Sequence, residues 1–278
     1  MRVFFATWVF ALASYAAAAA ANEQLSAIQP ASKLEMPDKG DTAWHWRVSS
    51  GFDFLTGKYG ASRATDVRYA PLGISYTGGL WTLSADTGYI DISGPLSFID
   101  IADYGLSEDE ARTLGLGDAT VQGFDNVTLG ARYAAFDIWE QNLFVDLTAK
   151  VTMPTASRAK GLGTGAVDVS TIVDLTRMSG SMTWFASVSR KWRGGADTRR
   201  NSWSAGIGFT DSFTDRLSAG LSYDIRQSGI RGGRATHEGT LFASFKITES
   251  ATLTAYALGG LPRDTIGTGV GVRLGYTF

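Results

Sequence analysis

The chain has no cysteine, two histidines and six prolines. Each shortage removes a class of explanation. Without cysteine there is no disulfide framework and no thiolate metal site. His45 and His237 are too few and too far apart in sequence for a transition-metal centre, so no metal and no cofactor are expected. After residue 21 no stretch approaches the eighteen or so consecutive apolar residues that a membrane-crossing helix needs. Positive charge is not in excess either. The 25 Lys and Arg face 27 Asp and Glu, a net charge of −2, which excludes a general nucleic-acid binder.

What is abundant is glycine, 33 residues, within a chain that is 44% hydrophobic. That profile suits many strands and tight turns rather than long helices. Met1-Arg2, an apolar run from Val3 to about Ala13, and the alanines at 16–21 read as a signal peptide over 1–21. Residues 22–43 lack periodicity, and they are expected to be a periplasmic tail or a plug in the lumen. The remainder, 44–278, shows no break in composition and reads as one domain.

Period-two alternation dominates that domain. Ile266, Thr268, Val270, Val272, Leu274, Tyr276 and Phe278 share one face, while glycines, Arg273 and Thr277 share the other. A strand apolar on one side and small or charged on the other suits lipid outside and a polar lumen inside. About twelve such segments run near 44–55, 63–76, 80–91, 124–134, 143–154, 166–176, 182–192, 201–210, 215–226, 236–247, 251–260 and 266–278. The second changes phase at Ala70-Pro71, which predicts a bulge or break. Connections alternate between long and short, apart from 135–142, as in barrels with short periplasmic turns and longer outer loops. Trp44, Trp46, Trp81 and Trp184 fall near one set of strand ends, and Trp192 and Trp203 near the other. This is the girdle pattern of interfacial aromatics.

The expected fold is therefore all-β: a transmembrane, antiparallel, up-and-down β-barrel of about twelve strands in the outer membrane of a Gram-negative bacterium. Ser107 and Glu110 form a capping box, which predicts one short helix over 108–114 in the long outer loop 92–123. The last strand, ending at Phe278, resembles the signal read by the barrel-assembly machinery.

Parity places Arg47, Asp86, Arg132, Asp146, Lys150, Asp168, Asp174, Lys191, Asp224, Lys246, Gly269 and Arg273 on the lumen side as pore-lining candidates. Ser202, Ser204, Gly206, Gly208, Ser218, Gly220, Ser222, Gly267, Gly269 and Gly271 give one inward wall of small residues, an expected passage opposite the charges. Such a lumen serves either as a path for small solutes or as an ionic network that fills the barrel. Arg193, Arg199, Arg200, Arg231 and Arg234 lie in outer loops and are expected to face lipopolysaccharide phosphates.

Two motifs point elsewhere. Lys160-Gly-Leu-Gly163-Thr-Gly165 has the glycines of a phosphate loop, but lacks the Gly-Lys-Ser/Thr order. His237 with Ser228 is a conceivable pair for an outer-leaflet lipid hydrolase, though no orienting third residue stands out.

Gly115-Leu-Gly-Asp118 followed by Val127–Tyr133, and Lys150-Val-Thr-Met-Pro154-Thr155 followed by Gly161-Leu-Gly-Thr-Gly165-Ala-Val-Asp168, form a further pattern. These stretches resemble the outer-membrane transporters associated with phenol meta-pathway degradation. There a strand ending Leu-Pro-Thr-Gly leads to a Gly-x-Gly-x-x-Asp loop, and here Ala156 stands at the final glycine. The resemblance implies a barrel for uptake of aromatic or other hydrophobic compounds, and it carries over no catalytic residues. Passive transport of small solutes is thus the leading expectation. A lipid-modifying hydrolase and a structural or adhesive barrel with a filled lumen are the alternatives.

Overall fold

The computed structural model describes residues 44–57, 64–94, 119–137, 142–160, 162–195, 200–227, 235–261 and 267–278. The expected signal peptide, the 22–43 segment and the 108–114 helix lie outside them. Thirteen strand segments build one antiparallel sheet. They are β1 His45–Gly57, β2 Thr65–Gly78, β3 Trp81–Gly94, β4 Ala119–Phe124, β5 Val127–Asp137, β6 Leu143–Met153 and β7 Asp168–Ser179. The rest are β8 Met182–Arg193, β9 Ser202–Ser212, β10 Leu217–Arg226, β11 Thr236–Lys246, β12 Ala251–Leu261 and β13 Thr268–Thr277. β1 pairs with both β2 and β13, so the sheet closes on itself, and among the described strands β4 alone is paired on one side only, to β3. β4 and β5 lie end to end along β3, which makes this a 12-strand barrel.

Short and long connections alternate, and they define two rims. At the short-turn rim Gly79 (φ 56°) and Gly180 (φ 63°) take left-handed conformations that L side chains resist. A Cβ would meet nothing nearby at either position, so the backbone alone calls for glycine. Thr214 makes another of these turns, its Oγ1 accepting from the amides of Arg216 and Leu217 at 3.2 and 2.9 Å.

The fourth barrel strand departs from expectation. It begins at Ala119 and is broken between Phe124 and Val127. Register shows why: Thr87 and Gly88 of β3 stand opposite three residues, Asp125 to Val127. Asn126 is the extra residue of a β-bulge. Conversely, no break occurs at Ala70-Pro71. β2 runs through, and its pairing with β3 is continuous from Asp66 to Gly78. The ladder to β1 skips Ala70 and Pro71 and resumes in the same register, as expected where proline offers no N–H.

The phase change in the sequence has another cause. Over most of the barrel the outward face is apolar: Leu83, Leu147, Val188, Ile207, Leu241 and Val270 are all exposed. On the long-loop half of β1–β4 the two faces exchange character. Outward stand Thr56 bonded to Asp66 at 2.7 Å, Arg68 paired with Asp91 at 3.5 Å, and Ser93 beside Thr120 at 3.4 Å. Inward stand Leu55, Val67, Ile90 and Ile92, all at most 1% exposed. Tyr89 and Phe124, an edge-on aromatic pair, mark the boundary on the outer surface. Below them lies a belt built for lipid; above them rises a collar built like a water-soluble sheet.

Candidate functional site: the lumen

The collar's inward face needs a cover, because four strands expose one apolar side of a sheet. The connection after β6 supplies it. Val127 N donates to Thr155 Oγ1 at 2.8 Å, and Ala156 N donates to the Asn126 side chain at 3.0 Å. The bulge thus aims Asn126 at the loop and turns it inward. A single 3-10 turn, Arg158–Lys160, follows, with Lys160 Nζ reaching Gln122 O at 3.3 Å. Leu162 then lies fully buried over Gly123, where even a methyl group would collide with it. Leu55, Val67, Ile90, Ile92, Ala156 and Leu162 belong to one apolar cluster, with Val121 packed at its side.

The same cluster descends through Leu258, Tyr69, Tyr256 and Phe242 to Phe185. Phe242 and Phe185 approach to 6.4 Å between ring centroids. An apolar track therefore runs from the long-loop mouth into the short-turn half. This track corrects the expected passage over small residues. A Cβ on Gly208 would strike Phe185, and one on Gly220 would strike Phe242. Gly271 lies beneath Tyr256 and Asp53, and Gly269 beneath Leu55 and Leu258. The small residues form a bed on which side chains of neighbouring strands lie flat. Gly269 lies under two members of the apolar cluster rather than in a gap facing charges.

Where collar and belt meet, polar groups of neighbouring strands join along the lumen wall. Arg273 embraces the fully buried carboxylate of Asp53 with both terminal nitrogens, and the Tyr256 hydroxyl donates to the same carboxylate. The Arg273 guanidinium also stands 5.7 Å from the Tyr256 ring centroid. Tyr69 donates to Asp125 at 3.4 Å, and Thr87 donates to Asp125 O at 3.2 Å. Bidentate pairing and an added hydroxyl satisfy most of the lone pairs of a carboxylate withdrawn from water.

The remaining pore-lining candidates separate into groups. Arg132 pairs with Asp146 on β5 and β6, Asp174 stands opposite Asp146, and Lys150 lies opposite Gly130 and Ser170. Asp86 covers Gly73 on the adjacent wall. These make a charged wall in the belt. Asp224 sits over Gly206 and accepts from Ser222 at 3.3 Å, with buried Glu238 opposite it. Lys191 stands between Ser170 and Ser202, and Asp168 accepts from Gly194 N at 3.2 Å near the long-loop rim. Arg47 lies over Gly275, close to the short-turn rim, and Lys246 lies at that rim opposite Thr252.

Of the loop arginines, Arg193 does not face outward. Its parity in β8 is lumenal, and Nη1 donates to Ser202 Oγ at 2.5 Å and to Arg200 O at 3.2 Å. Arg199, Arg231 and Arg234 fall outside the described residues, as does Ser228. His237 faces outward and shares a 2.6 Å hydrogen bond with Tyr223. Among the described residues no cluster of His, Asp and Glu has the make-up of a metal site.

No protein-family model and no curated protein matches the sequence. Solved structures do match in fold. The KdgM porin aligns with a TM-score of 0.54 at 8% identity, over 84% of this chain and 99% of that one. A KdgM porin in complex with disordered oligogalacturonate aligns at 0.52 and 7% identity, over 84% and 98%. The NanC porin aligns at 0.51 and 10% identity, again over 84% and 98%. At such identities the likeness is one of fold: the barrel of outer-membrane porins.

Proposed function

We propose that this chain is a channel in the outer membrane of a Gram-negative bacterium, passing small apolar and aromatic solutes without energy input. The apolar track from Ile92 and Leu162 down to Phe242 and Phe185 carries the reading. A lumen that served only hydrated ions would gain nothing from lining its mouth with aliphatic side chains. The porin-like fold supports a channel, and the resemblance of the Met153–Asp168 region to phenol-pathway transporters supports the solute class. That region is the loop that covers the track. Leu162 is closed to solvent, so passage requires it to leave Gly123. A second reading, polar solutes, rests on the charged wall of Asp86, Arg132, Asp146, Lys150 and Asp174.

Liposome swelling separates the two. At pH 7 benzoate and a sugar acid of equal charge differ mainly in apolar surface. Faster benzoate entry than sugar-acid entry through the folded protein is the expected result. Equal rates, or faster sugar-acid entry, would transfer the function to the charged wall. No entry of either would leave a filled, structural barrel.

A further inference from the structure

One charged side chain contradicts the belt. β8 turns Thr183, Phe185, Ser187, Ser189 and Lys191 inward, and Trp184, Ala186, Val188, Arg190 and Trp192 outward. Arg190 therefore leaves the barrel on its lipid side. Thr171 and Trp203 stand opposite it on the two adjoining strands. Among the described residues of β6–β13, it is the only arginine, lysine or carboxylate facing outward away from the short-turn rim. Among the described residues no carboxylate pairs with it. Its partner is aromatic: the guanidinium carbon lies 4.8 Å from the centroid of the Trp203 ring.

An arginine on the lipid face is costly at mid-depth and nearly free at the interface. Trp192 and Trp203, both exposed outward, set this level as the long-loop interface. With its charge placed over the indole ring, the guanidinium keeps N–H donors for a further partner. Those donors match two oxygens of a phosphate. Two strands further round, the outward Tyr223–His237 pair continues the aromatic and polar strip along the same rim.

We propose that Arg190, seated on Trp203 beside Trp192, binds the phosphate of an outer-leaflet lipid: the phosphorylated glucosamine headgroup of lipopolysaccharide. The site lies on the barrel wall and does not involve Arg193, which is turned into the lumen. The proposal rests on the outer-membrane placement of the barrel and is independent of what the lumen conducts.

The test uses the full chain folded in neutral detergent, with folding verified by heat-dependent gel mobility. Native mass spectrometry measures retention of diphosphorylated lipid A, its dephosphorylated form, and inorganic phosphate. Arg190→Gln is expected to lower retention of diphosphorylated lipid A about ten-fold, the loss of one charge-assisted contact. Arg190→Lys should fall between, and Arg177→Gln, at the opposite rim, should match wild type. Dephosphorylated lipid A should bind weakly and equally to wild type and Arg190→Gln. Unchanged retention by Arg190→Gln would overturn the site. Full displacement of lipid A by inorganic phosphate would overturn the lipid as its ligand. Fractionation of cells checks the placement separately: protein sedimenting with the inner membrane, while lipid A still binds in detergent, would overturn the placement and the natural ligand together.

Discussion

Belt and collar use the same secondary structure, the same strands and the same alternation, yet their faces are reversed. In the belt, Leu147 points outward while Asp146 and Thr148 point inward. In the collar, Arg68 and Asp91 point outward while Val67, Tyr69, Ile90 and Ile92 point inward. Strand geometry is indifferent to which face is apolar; the surrounding solvent decides. Lipid takes the apolar side of the belt, and water takes the polar side of the collar. The exchange occurs within single strands, so β1, β2 and β3 each pass from one solvent to the other without leaving the sheet. The lumen changes with them, from a wall of charges to an aliphatic plug under Leu162.

The junction between the two regions should be the most sensitive place. Asp53 is fully buried and held by Arg273 and Tyr256. Arg273→Met leaves that buried carboxylate with the Tyr256 hydroxyl but no cation, and it should lose about 3–5 kcal/mol of stability. Urea unfolding in lipid vesicles measures this. Adding Asp53→Asn should restore most of the loss, because the uncompensated charge disappears. If Arg273→Met unfolds like wild type, the two regions do not share this anchor.

A smaller effect separates collar from belt directly. An arginine on the belt's outward face, at Leu147→Arg, should cost about 2–4 kcal/mol at mid-depth. The same arginine at Thr120, exposed on the collar, should cost less than about 0.5 kcal/mol, as surface changes usually do. Equal costs at the two sites would remove the distinction between lipid and water.

Next comes the plug. Leu162→Ala deletes a buried aliphatic side chain, and it should cost about 2–3 kcal/mol, the lower part of the range for such truncations, since the loop can settle. It should also raise benzoate entry into liposomes. Destabilisation without faster entry would make Leu162 a structural residue only.

How much of this was legible beforehand follows from the period itself. Alternation located nearly every strand and both faces of the belt, because a period of two is local. The collar was visible only as an apparent phase change at Ala70-Pro71. Pattern reading assumes one solvent along a strand, so an exchange of solvents looks like a slip of register. Parity also turned Arg273 inward, but its partner Asp53 stands 220 residues away, and the two meet only because β1 closes on β13. The stagger at closure is a property of the whole sheet. Asn126 was hidden for a similar reason: its role is set by the register of β4 and β5 on β3. For Leu162, the available signal was an apolar residue amid glycines in a loop that had no polar reason to hold it.

The last and smallest prediction concerns the Arg68–Asp91 pair, and it sharpens the comparison through its modesty. The two side chains are 48% and 27% exposed and 3.5 Å apart. In water such a pair contributes about 0.2–1 kcal/mol, and salt screens part of it. Within lipid, Asp91→Asn would strand an arginine in hydrocarbon, and the loss would rise toward the 2–4 kcal/mol or so of a mid-bilayer charge. The collar reading therefore expects a loss below about 1 kcal/mol that shrinks as sodium chloride rises from 50 to 500 mM, roughly one to two halvings of the Debye length. Urea unfolding of wild type and Asp91→Asn at both salt concentrations gives the answer. A loss above 2 kcal/mol or so, insensitive to salt, would place this pair in the membrane and lower the collar into the belt.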